Sequence, residues 1–216
     1  MTLPSSTIAN LRVDYTLRSF DEKDVLSDPF KQFEVWMEEA IQAHVNEPNA
    51  MTLATVKADG SPSARIVLLK GFDQRGFTFF TNYESAKGHE LAGNNKVALV
   101  FCWLELQRQV RIEGVAEKVS AEESDAYFNS RPEGSRIGAH ASPQSTVIAN
   151  RQVLEDNYKK FETLFEKEPV MRPLNWGGYI VKPRSIEFWQ GRKSRLHDRF
   201  LFKPLNNSWK FFRLAP

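Results

Sequence analysis

The sequence predicts a mainly β protein with helical additions, in which antiparallel strands form a closed or partly closed barrel. Two observations favour this fold class. Runs rich in β-branched and aromatic residues follow one another and are separated by short turns such as Asp59-Gly60. Segments with helical spacing are few. Because strands and helices do not alternate along the chain, a doubly wound parallel sheet is disfavoured.

Length and composition indicate one soluble globular domain. The chain has 216 residues, of which 41% are hydrophobic and 26% charged. The net charge of +2 is too small to imply nucleic-acid binding. Cys102, the one cysteine, ends an apolar run, so we expect a buried thiol and a reducing compartment. With no membrane-spanning run and no signal-peptide pattern, we expect a cytoplasmic location.

We divide the chain into a flexible N-terminal arm, residues 1–27, and a single domain, residues 28–216. The arm is polar and lacks periodicity. Asp28 and Pro29 predict the start of a helix that ends near Pro48. We expect further helices at 85–91, from the capping box at Ser120 to the break at Pro132, and at 145–167. The predicted strands are 51–56, 64–70, 77–81, 97–103, 109–119, 178–189, 197–202 and 209–214.

The segment from Ile186 to Arg199 is the most informative part of the chain. It reads I-E-F-W-Q, four further residues, then R-L-H-D-R. In a strand, Arg195, His197 and Arg199 would lie on one face. Two guanidinium groups and an imidazole there would suit a planar anionic ligand. The alternative is a solvated charged edge strand, which the aromatic residues just upstream disfavour.

Other residues carry weaker indications of phosphate binding. Lys87 lies in the first turn of a predicted helix, whose N-terminus suits an anion, although a capped helix with an exposed lysine fits the spacing better. Tyr127, Arg131 and Ser135 recur every four residues and carry donors suited to a phosphate monoester, although chance placement is an alternative. Arg65 and Lys70 would point to opposite faces of one strand, so they are not expected to hold the same group.

The sequence disfavours several kinds of site. The histidines show no metal-ligand spacing, so no metal site is indicated. Neither G-x-G-x-x-G nor G-K-[ST] occurs, which makes nicotinamide dinucleotides and nucleoside triphosphates poor candidates.

Taken together, the motifs resemble those of the pyridoxine/pyridoxamine 5′-phosphate oxidase family. The matching patterns are R-I-V-L-L-K at 65–70, R-Q-V at 108–110, Y-F-x-S-R-P-x-x-S-x-I-G at 127–138 and the segment from Ile186 to Arg199. The resemblance runs from about Arg12 to the last residues. It implies a split β-barrel FMN-binding fold, antiparallel and Greek-key-like. It also implies a homodimer with FMN at the subunit interface, with residues 176–216 serving dimerisation and substrate binding.

The resemblance implies a role for each matched residue. The residues implied to hold FMN are Arg65, Ile66, Val67, Leu68, Leu69, Lys70, Phe80, Thr81, Ser85, Lys87, Gln109, Gln144, Ser145, Trp189 and Arg199. Those implied to bind substrate are Lys70, Tyr127, Arg131, Ser135, Arg195, His197, Arg12 and Tyr15, with Arg195 and His197 as the catalytic pair. The chain departs from the family pattern at Phe80, where tyrosine is frequent, and at Ala86, where a basic residue is frequent.

The reaction implied is FMN-dependent oxidation of pyridoxamine 5′-phosphate and pyridoxine 5′-phosphate to pyridoxal 5′-phosphate. Hydride passes from C4′ to the flavin N5, and O₂ accepts the electrons to give H₂O₂. Arg195 and His197 are expected mainly to orient the ring, since arginine is a poor base at neutral pH. The alternatives are a split-barrel flavin or haem reductase, a carrier of flavin or pyridoxal phosphate without turnover, and a nucleic-acid-binding barrel.

Overall fold

The computed structural model describes residues 7, 9–11, 14–206 and 208–216. Within them lie five α-helices: α1 Pro29–Gln42, α2 Ala86–Gly93, α3 Ala121–Ser130, α4 Glu133–Ala141 and α5 Gln152–Phe165. The strands are β1 Ala50–Val56, β2 Pro62–Leu68, β3 Gly71–Asp73, β4 Gly76–Asn82, β5 Lys96–Trp103, β6 Arg108–Lys118, β7 Trp176–Gln190, β8 Asp198–Leu205 and β9 Ser208–Arg213. No helix among the described residues is long and apolar enough to cross a membrane.

Hydrogen bonds join the strands into one sheet in the order β2-β1-β5-β6-β7-β4-β3, with β8 paired to β7 and β9 to β8. The β1–β2, β3–β4, β4–β7, β7–β8 and β8–β9 ladders are antiparallel. The predicted hairpin at Asp59-Gly60 is confirmed, with Gly60 at φ +85° and Val56 opposite Pro62. The mainly antiparallel β class with helical additions is therefore confirmed.

The chain forms two compact units. Unit 1 comprises the described residues up to Pro48, Val100–Ile112 and Ser185–Pro216; unit 2 comprises Asn49–Leu99 and Glu113–Arg184.

Unit 1 has an aromatic core built around α1. Asp28 caps this helix by accepting the N–H of Phe30 at 2.8 Å, as predicted. Trp36 lies 5.0 Å from Phe20 and 5.1 Å from Phe188, ring centre to ring centre. Phe20 also meets Phe200 edge-on at 5.1 Å. Phe20 belongs to the expected arm, yet only 4% of it is exposed; the division into arm and domain stays a prediction.

Unit 2 packs three helices against β4 and β7. Its small core contains the buried residues Phe128, Ile137, Val170 and Trp176, with Tyr127 and the α5 aromatics beside them. The capping box of α3 is present as predicted, since Ser120 and Glu123 each accept the other's backbone N–H. This packing fixes the ends of α3 and α4 beside β4, where the candidate site lies.

The helices differ from the prediction at three places. Helix α1 ends at Gln42 rather than near Pro48, because His44 and Glu47 adopt positive φ. Helix α4 occupies residues that we expected to form a loop after Pro132. Helix α5 begins at Gln152 rather than Ser145, whose φ of +71° is incompatible with a helix.

The expectation of a buried Cys102 is wrong, because this residue is exposed. Strand β5 alternates, with Phe101 and Trp103 buried on one face and Cys102 on the other. A continuous apolar run conceals the two-residue period of a strand, so burial at one position could not be read from its neighbours.

Replacing Gly76 is expected to destabilise the β3–β4 hairpin. Its φ is +150°, and an added Cβ would lie 2.1 Å from the carbonyl oxygen of Val181. Backbone strain and this clash together should cost about 2–3 kcal/mol in Gly76→Ala. The melting temperature should fall by roughly 5–10 °C, measured by circular dichroism.

Gly93→Ala is the matched control, because nothing lies within 4 Å of an added Cβ there and its φ is not positive. Equal melting temperatures for the two variants would contradict the close-approach argument.

Candidate active site

A cavity of about 700 Å³ lies in unit 2, where β2 and β4 end beside α2, α3 and α4. Many of the residues predicted from the sequence line it: Ile66, Val67, Leu68, Lys70, Phe80, Thr81, Lys87, Tyr127, Arg131, Ser135 and Gln144. Four other predicted residues of this unit, Arg65, Leu69, Ser85 and Ser145, are not among its lining residues. The cavity thus brings together residues from four separate sequence motifs.

An aromatic stack forms one wall of this cavity. Phe80 stacks on Tyr127 at 3.9 Å and on Trp176 at 5.6 Å, centroid to centroid. Sequence analysis missed Trp176, although an aromatic residue before the pair Gly177-Gly178 was an available signal. An added Cβ on Gly178 would lie 2.8 Å from Phe80, so this glycine allows the close approach.

Arg131 extends from the end of α3 along that wall. Its guanidinium carbon lies 4.6 Å from the Trp176 ring centre and 5.7 Å from that of Phe128. One terminal nitrogen, Nη1, is buried and has no hydrogen-bond partner among the described residues. Burial lowers the pKa of Arg131, while Tyr127 acts in the opposite direction. A buried donor on a cation is costly to leave unpaired, so this group is suited to an anionic ligand.

Lys87 is a second cationic residue that lines the cavity. Its Nζ donates to Thr81 Oγ1 at 3.2 Å, Ser85 Oγ at 3.2 Å and Gln144 Oε1 at 3.0 Å. All three acceptors are neutral. Burial, and then the nearby Arg65, lower the pKa of Lys87, while Glu90 acts in the opposite direction. The ammonium group is therefore held in place without neutralisation by these contacts, beside the Ser85-capped N-terminus of α2.

Arg65 is arranged differently, because it has a carboxylate partner. Its Nη2 donates to Glu90 at 2.8 Å and to Ser63 Oγ at 2.6 Å, and its Nη1 contacts Thr55. Glu90 also accepts the Thr55 hydroxyl at 2.5 Å. Sequence analysis missed Glu90, for which no motif gave a signal. The contact of Arg65 with a cofactor phosphate stays a prediction.

A second cavity, of about 320 Å³, lies in unit 1 and is lined by some of the remaining predicted residues; Gln109, Trp189 and Arg199 are not among its lining residues. The ring of His197 lies 4.5 Å from that of Trp189 and 5.8 Å from that of Tyr15. Arg195, His197 and Tyr15 line the cavity together with Leu11, Asp14, Arg192 and Ser194. Arg12, predicted to act with Tyr15, lies outside the described residues.

The prediction that Arg195, His197 and Arg199 share one strand face is wrong. Strand β8 begins at Asp198, and Arg195 has a φ of +63°. Arg199 alone of the three lies in the strand, opposite Trp189. Its Nε donates to Glu187 at 2.8 Å and its Nη1 to the carbonyl of Ala215 at 2.9 Å. Because non-glycine residues rarely adopt positive φ, the sequence did not predict this conformation at Ser194 and Arg195.

Two polar residues of the same motif, which carried no predicted role, support the structure around it. Gln190 is buried; it accepts Arg108 Nε at 2.8 Å and donates to the carbonyls of Leu106 and Gln107, each at 3.2 Å. Glu187 accepts from Arg199 and from Arg111. Gln109, a predicted flavin contact, lies half-buried on β6 beside Arg108. The described residues contain no cluster suited to a metal ion.

Family models match most of the chain. A model described as pyridoxamine 5′-phosphate oxidase matches residues 37–165. A second, described as the pyridoxine 5′-phosphate oxidase C-terminal dimerisation region, matches residues 176–216. Among curated relatives, the pyridoxine/pyridoxamine 5′-phosphate oxidase of Trichormus variabilis is 58% identical over 97% of this chain and 99% of its own. The protein of that name from Burkholderia multivorans is 58% identical over 98% and 100%.

Solved structures agree on the fold. PhzG from Burkholderia lata 383, in complex with tetrahydrophenazine-1-carboxylic acid, has a TM-score of 0.84 and 31% identity over 90% of this chain and 95% of its own. A pyridoxamine 5′-phosphate oxidase-related, FMN binding protein from Nostoc punctiforme has a TM-score of 0.71 and 16% identity over 89% and 100%, which bears on the fold alone. The predicted split-barrel class is confirmed, and this chain belongs to the pyridoxamine 5′-phosphate oxidase family.

Proposed function

We propose that this protein oxidises pyridoxamine 5′-phosphate and pyridoxine 5′-phosphate to pyridoxal 5′-phosphate, with FMN as cofactor and O₂ as electron acceptor. Relatives at 58% identity over nearly the full chain carry the corresponding name. We place the reaction in the cytoplasm, in keeping with the sequence-based expectation.

The unpaired buried N–H of Arg131 is the observation that carries the proposal. Tyr127, Ser135 and Lys70 line the same cavity and add two hydroxyls and an ammonium group. Together they offer the charged and neutral donors that a phosphate monoester needs. These four residues would hold the substrate phosphate, and because the ring is joined to the phosphate, they would also limit where the ring can lie in the site.

The residues around Lys87 fit an FMN phosphate. Lys87 donates hydrogen bonds to the neutral oxygens of Thr81, Ser85 and Gln144, and none of these contacts is an ion pair. Ile66, Val67 and Leu68 line the same cavity and would lie against the isoalloxazine ring. When bound, FMN supplies the hydride acceptor and the reaction with O₂. The protein supplies binding, orientation and the exclusion of water.

Residues of unit 1 complete the proposal. We place Arg195 and His197 against the substrate ring and its oxygen, and Gln109, Trp189 and Arg199 at the flavin. Tyr15 and Arg12 would cover the bound substrate. The match of residues 176–216 to a dimerisation region supports a homodimer, and we propose that the FMN lies at its subunit interface.

The ligand of one structural neighbour suggests the competing substrate class. Tetrahydrophenazine-1-carboxylic acid, bound to PhzG, is an anion without a phosphate group. A carboxylate would satisfy fewer of the donors around Arg131 than a phosphate monoester does. We therefore favour the phosphate ester.

The proposed function predicts how the flavin responds to substrate. Anaerobic mixing of the FMN-loaded protein with pyridoxamine 5′-phosphate should bleach the visible flavin band within one turnover, and admission of air should restore it. Stopped-flow absorbance measures both steps. A flavin band that persists with this substrate, but bleaches with a reduced phenazine carboxylic acid, would overturn the proposed substrate class.

A further prediction concerns the FMN phosphate. Lys87→Met should weaken FMN binding roughly 10- to 100-fold, as expected for the loss of a charged hydrogen bond. Binding of riboflavin, which lacks the phosphate, should change little. Quenching of flavin fluorescence measures both affinities.

Lys96→Met is the matched control, because Lys96 is an exposed lysine at the start of β5 and lies outside the lining of the cavity. FMN and riboflavin affinities that fall in parallel in Lys87→Met would refute the phosphate role of Lys87.

A further inference from the structure

Arg192 contacts the His197 loop through both its backbone and its side chain. It lies in the connection between β7 and β8. Its backbone N–H donates to His197 Nδ1 at 3.0 Å. Its guanidinium Nη1 donates to Asp198 Oδ2 at 2.9 Å. The same residue therefore bonds the imidazole and the carboxylate that follows it in sequence.

The first of these bonds determines the tautomer of His197. A backbone N–H can only donate, so Nδ1 must present its lone pair. In the neutral imidazole the proton then resides on Nε2. Among the described residues no hydrogen bond is seen at Nε2, and the ring borders the cavity of unit 1. The nitrogen left for a ligand is therefore the one that carries the proton.

The second bond anchors the loop. Asp198 is buried, and its carboxylate also accepts the N–H of Phe20 at 3.0 Å and Arg213 Nη1 at 3.0 Å. Between Arg192 and His197 the chain passes through Ser194 and Arg195, with φ of +54° and +63°. Non-glycine residues rarely adopt this conformation, so the surrounding contacts must hold it.

We infer that Arg192 is a positioning residue that holds His197 as its Nε2–H tautomer, so that His197 donates a hydrogen bond to a ligand oxygen and does not accept a proton. The identity of that ligand, the ring oxygen of a pyridoxine derivative, rests on the proposed function. The tautomer itself does not.

The charges around the ring agree with a neutral imidazole. Burial and Arg195 lower the pKa of His197, while Asp198 acts in the opposite direction. Asp14, Tyr15 and Arg192 also border this cavity. Protonation of Nδ1 at low pH would break the bond from Arg192 N–H, so the two events are coupled.

The test is the tautomeric state of His197 in Arg192→Met. The chain has four histidines, so long-range ¹H–¹⁵N spectra of ¹⁵N-histidine protein resolve each ring, and His197→Gln assigns the signal. At neutral pH the wild type should show the Nε2–H tautomer. Arg192→Met keeps the backbone N–H but removes the guanidinium contact to Asp198 that anchors the loop. Without this anchor the N–H should no longer stay aligned with Nδ1, and the two ¹⁵N shifts should move toward each other, as expected for exchange between tautomers.

Lys193→Met is the matched control, since it removes a neighbouring charge but neither Arg192 contact, and its spectrum should match the wild type. Unchanged signals from His44, His89 and His140 would show that the fold is intact. Steady-state kinetics should show KM for pyridoxamine 5′-phosphate raised roughly tenfold in Arg192→Met, with kcat little changed.

An Nδ1–H tautomer in the wild type would overturn the assigned tautomer. An unaltered His197 signal in Arg192→Met would overturn the positioning role of the Arg192 side chain. Neither spectrum requires turnover, so failure of the proposed reaction would be seen separately in the flavin-reduction experiment.

Discussion

An arginine whose buried N–H has no hydrogen-bond partner within the described residues is the constraint on which the arrangement of unit 2 depends. Leaving such a donor unsatisfied costs about 1–3 kcal/mol. The aromatic faces of Trp176 and Phe128 offset part of this cost, because a cation over a ring gains about 0.5–2 kcal/mol. Much of unit 2 serves this contact, since α3, α4, β4 and β7 meet in the small core beside the ring of Trp176. We expect an anionic ligand that pairs with this N–H to offset the remainder of the cost.

Several arginines of unit 1, in contrast to Arg131, have carboxylate partners. Glu187 bonds both Arg199 and Arg111, and Asp198 bonds both Arg192 and Arg213. Arg108 is bonded by Glu39 and Gln190 and lies over the ring of Trp36. Buried carboxylates with two or more cationic partners form rigid, directional networks. We infer that these carboxylates of unit 1 fix geometry, as Glu90 does for Arg65 in unit 2. Arg131 and Lys87 of unit 2 instead keep positive charge available for a ligand.

Local signals gave correct predictions at two helix starts and one hairpin turn. Asp28-Pro29, the capping box at Ser120 and the turn at Asp59-Gly60 each form as predicted, because their hydrogen bonds lie within a few residues. Long-range contacts and rare conformations were not predictable. Glu90 meets Arg65 across 25 residues, and Trp176 meets Phe80 across two strands. Positive φ at Ser194 and Arg195 prevents Arg195, His197 and Arg199 from sharing the strand face that we predicted for them. The set of residues around the unit 2 cavity followed from the family resemblance rather than from spacing.

Recognition of a phosphate by Arg131 is tested most directly by a double-mutant cycle between protein and ligand. The two ligands are 4-deoxypyridoxine 5′-phosphate and 4-deoxypyridoxine, in which C4′ carries neither oxygen nor nitrogen, so that binding is measured without oxidation. Each is titrated into the FMN-loaded wild type and into FMN-loaded Arg131→Met. We predict that the wild type strongly prefers the phosphate ester, and that Arg131→Met loses roughly 10- to 100-fold of that preference while binding 4-deoxypyridoxine as before. An equal loss of affinity for both ligands would contradict the account.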